Sequence, residues 1–179
     1  MSELKECKEC FELAKKEEEK GKKHKGLLAV EPSIEKAKEY LEKARDSLKF
    51  CEIYKKMGSD YKIPEEWYYS QYYCALAILC KFGVETRSQR CTALFVKYVK
   101  ERGIIEYDDK FIERIMVYRE KDKKSAVDER EEARYSSEIK IKKIEERYNE
   151  TMDLCRGAIS KAEEIVYSNE KLEIPKELL

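Results

Sequence analysis

Everything periodic in this chain has a helical period. Leu4, Cys7, Phe11 and Ala14 step by three and four, which predicts a short amphipathic helix at the start. Its other face is charged, and it runs into Lys20-Gly21-Lys22-Lys23-His24-Lys25-Gly26, a flexible basic loop. A short strand is conceivable at Leu27–Val30, but so few residues carry little pattern. The next segment is clearer. Ser33 stands as an N-cap, with Lys36 where the acid of a capping box would sit. Ile34, Ala37, Leu41, Ala44, Leu48 and Cys51 then alternate by three and four until Gly58 offers a left-handed C-terminal cap.

Pro64 suits a first helical turn, and Glu65 and Glu66 complement its positive end. The run from Trp67 to Cys80 that follows has almost no charge. A helix apolar on every side is surrounded on every side, so this segment is expected at the centre of a bundle, ending at Gly83. Ser88 caps a fourth segment with Cys91, Leu94, Phe95 and Tyr98 facing inward, stopped by Gly103. A fifth starts near Asp108-Asp109 and carries Phe111, Ile115 and Tyr118. From Arg119 to Glu138 apolar residues almost vanish, which fits a solvated helix, a helix break or a functional loop. Ile141, Ile144, Tyr148, Met152, Cys155, Ile159, Ala162 and Val166 then mark a last long helix. Gly157 within it costs on the order of 1 kcal/mol unless another helix backbone approaches closely. No internal repeat is present.

The expected fold is all-α: an antiparallel bundle of four to five helices with a short N-terminal helical arm. Residues 1–30 form the arm and basic loop, 31–168 the bundle and 169–179 a C-terminal tail.

Composition narrows the function. Lys and Arg number 38 and so do Asp and Glu, so attraction by a uniformly basic surface is excluded while local basic patches are not. With 6 Gly and 3 Pro the chain is neither collagenous nor glycine-rich. No run approaches the ~20 apolar residues of a membrane span, and the start MSELKECKEC lacks an apolar signal core. A soluble cytoplasmic protein without a membrane partner is expected. Abundant Lys and Glu with only two Gln and two Asn follow the hyperthermophile pattern, in which cytosolic disulfides are tolerated. The seven cysteines are odd in number and mostly lie among apolar residues, so buried free thiols are expected; one disulfide is compatible, with its pairing open.

Candidate chemistry is sparse. His24 is the only histidine, which removes His–His metal pairs and a Ser-His-Asp relay within one chain; its lysine-rich loop places it on the surface. Cys7-Lys8-Glu9-Cys10 has the spacing of a redox or zinc half-site, but Cys7 belongs to the apolar stripe and no second such pair exists. Tyr68, Tyr69, Tyr72 and Tyr73 either stack nucleobases or fill space around the central helix. No phosphate-binding GxxxxGK[ST] string occurs. Asp128-Glu129 with Glu131-Glu132 reads as a solvated charge run before it reads as a cation site. Glu-x-x-His pairs for a di-iron bundle are lacking. Neither a metal nor a cofactor is expected.

The order of these features resembles the HEPN domain (higher eukaryotes and prokaryotes nucleotide-binding). The residues that carry the resemblance are Ala37 and Leu41 with Ala44; Trp67 with Tyr72-Tyr73; Gly83-Val84; Phe95; and Arg130-Glu131-Glu132-Ala133-Arg134-Tyr135, over about Ser33 to Val166. The resemblance implies a four- to five-helix bundle that pairs side by side as a homodimer. Nuclease members of the family are metal-independent RNases with an Arg and a His four to six residues apart near one helix face. There the Arg grips the scissile phosphate and a neutral His moves the 2′-hydroxyl proton. Arg130 carries over as the family Arg, but Tyr135 stands in the His position, and a phenol titrating near ~10 is a poor base at neutral pH. Starting instead from Arg119, the same window reaches Lys124, Ser125 and Ala126, again without His. Some family toxins carry, two residues beyond the His, a Tyr that a partner nucleotidyltransferase modifies; the equivalent here is Ser137.

The resemblance therefore implies a catalytically inactive, HEPN-like protein that homodimerises and binds a nucleotide, an RNA or a partner such as a small nucleotidyltransferase, in a toxin–antitoxin-like arrangement. Arg130 and Arg134 share one helix face, and Arg90, Lys97 and Lys100 offer a second basic strip for phosphates. The alternatives are a metal-independent RNase in which Arg130 works with Tyr135 or another non-His partner, and a purely structural helical adaptor.

Overall fold

The computed structural model describes residues 2–117 and 123–179. Tyr118 and Arg119 lie outside the described residues. Within them the chain is an all-α bundle, with a short two-stranded ribbon added. In chain order the elements are α1 (Ser2–Glu19), β1 (Leu27–Ala29), α2 (Ile34–Met57), α3 (Ile63–Phe82), β2 (Val84–Thr86), α4 (Gln89–Glu101), α5 (Asp109–Ile115), α6 (Ala126–Tyr135) and α7 (Lys142–Tyr167). Among the described residues no helix is long and apolar enough to cross a membrane.

Local chemistry sets the boundaries. The Lys36 N–H donates to Ser33 Oγ and the Cys91 N–H to Ser88 Oγ, each at 3.2 Å, so the first turns of α2 and α4 are capped. Gly58 (φ 70°) and Gly83 (φ 75°) close α2 and α3 in the left-handed region, where a Cβ would be strained.

α3, free of charge from Trp67 to Cys80, is the hub, packed by α2, α4, α5, α6 and α7. Trp67 is buried on it, and its indole N–H donates to Met152 Sδ of α7 at 3.4 Å. Tyr68, Ile78 and Leu79 are fully covered. The stripes of α2 (Ala37, Leu41, Ala44, Cys51) and α7 (Met152, Cys155, Ala158, Ala162) close over this helix. A Cβ on Gly157 would lie 3.3 Å from Phe111 Cζ, so what approaches this glycine is the aromatic ring of α5 rather than a helix backbone.

The N-terminal helix packs onto the bundle of its own chain. Cys7, Cys10, Phe11 and Ala14 are buried, and Phe11 meets Phe95 edge to face at 6.1 Å. Cys10 is disulfide-bonded to Cys91 of α4, 81 residues away, while Cys7, Cys51, Cys74, Cys80 and Cys155 are free thiols. The strand that is only conceivable from sequence does form. Leu27, Leu28 and Ala29 pair antiparallel with Thr86, Glu85 and Val84, and the Val30 N–H donates to the Gly83 carbonyl at 2.8 Å. The connector before it runs so close to α1 that a Cβ on Gly26 would sit 2.1 Å from the Cys10 carbonyl oxygen. The C-terminal residues also fold back: Leu172 and Leu178 are buried, and Tyr98 Oη donates to Glu177 at 2.8 Å.

Candidate functional site

Arg130, the arginine that the HEPN resemblance singles out, lies on α6, a helix with a well-built start. The Val127 N–H donates to Ser125 Oγ at 3.2 Å, and the Ser125 N–H donates to Asp128 Oδ2 at 2.7 Å, a reciprocal cap. Ala126, Arg130 and Ala133 fall at i, i+4 and i+7, so they form one face, and α6 lays that face on α3. Two members of the stripe are small. The third is an arginine, so the packing that buries the alanines also buries a guanidinium.

Arg130 is 8% exposed. Its guanidinium carbon stands 4.5 Å from the centre of the Tyr68 ring and 5.9 Å from that of Tyr69. A cation over a phenol face is worth about 2 kcal/mol when desolvated. Among the described residues no carboxylate pairs with it, and Arg130 Nε and Tyr68 Oη are both buried without a hydrogen-bond partner. Burial pushes the Tyr68 phenol well up, with the Arg130 charge opposing, so the ring stays neutral beneath its cation.

From Tyr68 a band of rings runs along α3. Tyr68 stacks on Tyr72 and Tyr69 on Tyr73, each pair with centroids 5.6 Å apart, as i, i+4 neighbours on a helix should. Tyr40 of α2 continues the band against Tyr73 at 6.1 Å, and Lys43 lies over both of those rings. Tyr69, Tyr72 and Tyr73 are half-buried, so the band keeps part of its surface in solvent. The four tyrosines of α3 therefore both pack and present ring area.

The other candidates are placed differently. Arg134 pairs with Glu65 on the surface. Tyr135 is 82% exposed, whereas Arg130 is covered. Five residues along a helix is a rotation of about 140°, which is why these two do not share a face and do not meet over one substrate atom. On α4, Arg90 pairs with Glu6 at 2.8 Å, Lys97 with Glu3, and Lys100 with Asp109 at 2.7 Å. The strip faces α1 and the start of α5, and each of its cations meets a carboxylate there.

His24 is not on the surface as its lysine-rich surroundings suggest. It is 1% exposed, with Nε2 3.2 Å from Glu85 Oε1 and Nδ1 without a partner among the described residues. The β1–β2 ribbon draws the basic loop down against β2, and the lysines take the solvent side while the imidazole is covered. The Cys7–Cys10 spacing does not make a redox pair, since Cys10 is bonded to Cys91 and burial pushes the Cys7 thiol up to about 12. Among the described residues no group of three or more His, Cys, Asp or Glu side chains is placed to hold a metal ion.

Sequence reasoning missed one cluster altogether. Glu129, beside Arg130, receives Arg114 of α5 at 3.0 Å and Arg147 of α7 at 2.7 Å. Burial raises the Glu129 carboxyl, but the Arg114 and Arg147 guanidiniums outweigh it and hold the group below its ordinary value. A cavity of about 180 Å³ lies alongside, walled by Trp67, Pro64, Ile141 and Ile144 with Arg147 at its edge. The only sequence signal for this cluster is an acid inside a charge run. No protein-family model, no curated protein and no solved structure matches the chain.

Proposed function

We propose that this chain is a HEPN-like helical protein that homodimerises and binds a nucleotide or single-stranded RNA through Arg130 and the tyrosine band without cleaving it. The observation that carries the reading is the Arg130 guanidinium on Tyr68 with no carboxylate partner among the described residues. A guanidinium suits phosphate because its fork matches two oxygens at once, and aromatic faces suit bases because every base has a face to stack. Arg130 and the half-exposed rings of Tyr69, Tyr72 and Tyr73 put both elements on one helix pair. Cleavage needs a proton shuttle, and the chain's one imidazole is covered and engaged with Glu85, while Tyr135 occupies the family's His position.

Fluorescence anisotropy with a labelled single-stranded RNA tests this. Wild-type protein retains the RNA at low salt and loses it as salt rises, the RNA stays intact on a gel, and Arg130→Ala weakens binding about tenfold or more. Cleavage that disappears in Arg130→Ala would make the protein an RNase. No retention even at low salt would leave a structural adaptor. The homodimer is read by light scattering, and monomers alone at micromolar concentration would remove it.

A further inference from the structure

The tyrosine band runs into a cavity. Tyr69, Tyr73, Leu76 and Cys80 fall at i, i+4, i+7 and i+11, so they form one stripe of α3. Arg130 stands over the ring at its head, 5.9 Å from the centre of Tyr69. Roughly 16 Å further along the helix axis, Leu76 and Cys80 help line a space of about 350 Å³ bounded by the first half of α2 and by β2. Tyr40 and Lys43 belong to both features. Tyr40 stacks on Tyr73, Lys43 lies over both rings, and both residues line the cavity.

The charges lining this cavity balance: Glu31, Glu39 and Glu85 against Lys36, Lys43 and Arg87. Glu85 is engaged with His24 and Arg87, and Lys43 with its two rings. Among the described residues Glu31, Glu39 and Lys36 have no ion-pair partner. The Lys36 charge reaches the cavity wall, since it opposes the burial that pushes the Cys80 thiol up to about 11. Burial raises the Tyr40 phenol, and Cys80 and Glu85 add to it, which sets its hydroxyl end beside the same wall. A balanced wall with two spare carboxylates and a spare ammonium suits an uncharged ligand that both donates and accepts hydrogen bonds. A lone phosphate or a metal cation would meet like charge as often as opposite charge. We propose that this cavity takes one unpaired guanine base of the RNA that lies along the tyrosine band. Guanine offers a carboxylate two adjacent N–H groups, at N1 and N2, and offers a lysine two adjacent acceptors, O6 and N7. Single strands are read in this manner, by stacking on rings and by hydrogen bonds to base edges. The space also lies within the ~300–1,000 Å³ of small-ligand sites. The assignment rests on the RNA reading above and adds a base preference to it.

Fluorescence anisotropy of the whole chain with three labelled oligomers at low salt tests the site. One is made of uridines only, one carries a single central guanine and one a single central adenine. The expected result is that the guanine oligomer binds about tenfold tighter than both others, the discrimination that a two-pronged contact to a base edge supplies. The adenine oligomer controls for the stronger stacking of a purine. Combining Glu31→Gln with Glu39→Gln, both at exposed positions that the fold does not depend on, brings the guanine-to-adenine ratio to about one. Acids that formed only a repulsive rim would behave differently: their loss would tighten all three oligomers and leave the ratio as it was. The guanine site is overturned if the guanine oligomer binds no tighter than the adenine one, or if its preference survives the double variant. Either result leaves the RNA reading standing. Retention of none of the three oligomers overturns both.

Discussion

On α4 every basic candidate has met a carboxylate, whereas on α6 the buried arginine has met a ring. The two helices look alike in sequence: each is short, amphipathic and dotted with Arg or Lys. Their partners make the difference. The flank of α4 that carries Arg90 and Lys97 is where α1 lies, and α1 brings Glu6 and Glu3. The face of α6 that carries Arg130 lies on α3, whose residues at that place are Tyr68 and Tyr69. A basic residue's position on a helix fixes where its charge is. Whether that charge stays available is decided by the helix packed against it, which local sequence does not name.

The comparison can be broken most forcefully at Trp67, which lies beneath the α6–α7 side and hydrogen-bonds Met152. Trp67→Ala is expected to destabilise the protein by roughly 3–5 kcal/mol. Denaturant unfolding measures it, and hydrogen exchange should show α6 and α7 loosening before α4. A superimposable unfolding curve would remove Trp67 from the core. Next comes the Cys10–Cys91 bond, which holds α1 and its two acids on α4. Cys10→Ser is expected to lower stability by about 2–4 kcal/mol, and a thiol reductant to lower the melting temperature of wild type but not of the variant. Loosening α1 also uncovers Arg90 and Lys97, so RNA affinity should rise rather than fall.

Acid sharpens the α6 side. The Glu129 carboxyl is held below its ordinary value in the folded protein, so the unfolded chain takes up its proton first. Its stabilising contribution is complete above the ordinary carboxylate range, about 4.3, and is lost as pH falls through the depressed folded value. Denaturant midpoints measured down the acid range should show this loss in wild type and not in Glu129→Gln. The smallest effects belong to the half-buried pairs of α4 with α1. Arg90→Ala and Lys97→Ala should each change stability by less than about 1 kcal/mol, and melting curves shifted by many degrees would mean those pairs are more than surface contacts.

Much of the fold was legible because its signals are local. Ser33, Gly58, Pro64, Gly83 and Ser88 mark helix ends through bonds and dihedrals within a few residues. The 3-4 stripes of α2 and α7 and the uncharged run of α3 also pointed to the all-α class and the hub, whereas α6 was only one of three readings of the charged stretch before Ile141. What escaped depends on distant partners. Leu27–Ala29 becomes a strand only because Val84–Thr86 pairs with it, and the burial of His24 follows from that pairing. The disulfide joins cysteines 81 residues apart, which spacing alone cannot single out among seven. Arg130 was legible as a candidate, but its tyrosine platform lies two elements of helix away on α3. The Arg114–Glu129–Arg147 cluster draws one side chain from each of three helices, and none of them stands out in its own segment.

The contrast between α6 and α4 is tested most directly by the salt dependence of RNA binding in two variants. The logarithm of the binding constant falls linearly with the logarithm of salt concentration, by about 0.7 for each phosphate neutralised on a single strand. The account predicts that Arg130→Gln shallows this slope by about that amount while Arg90→Gln leaves it unchanged. A slope that Arg90→Gln shallows and Arg130→Gln does not would contradict it.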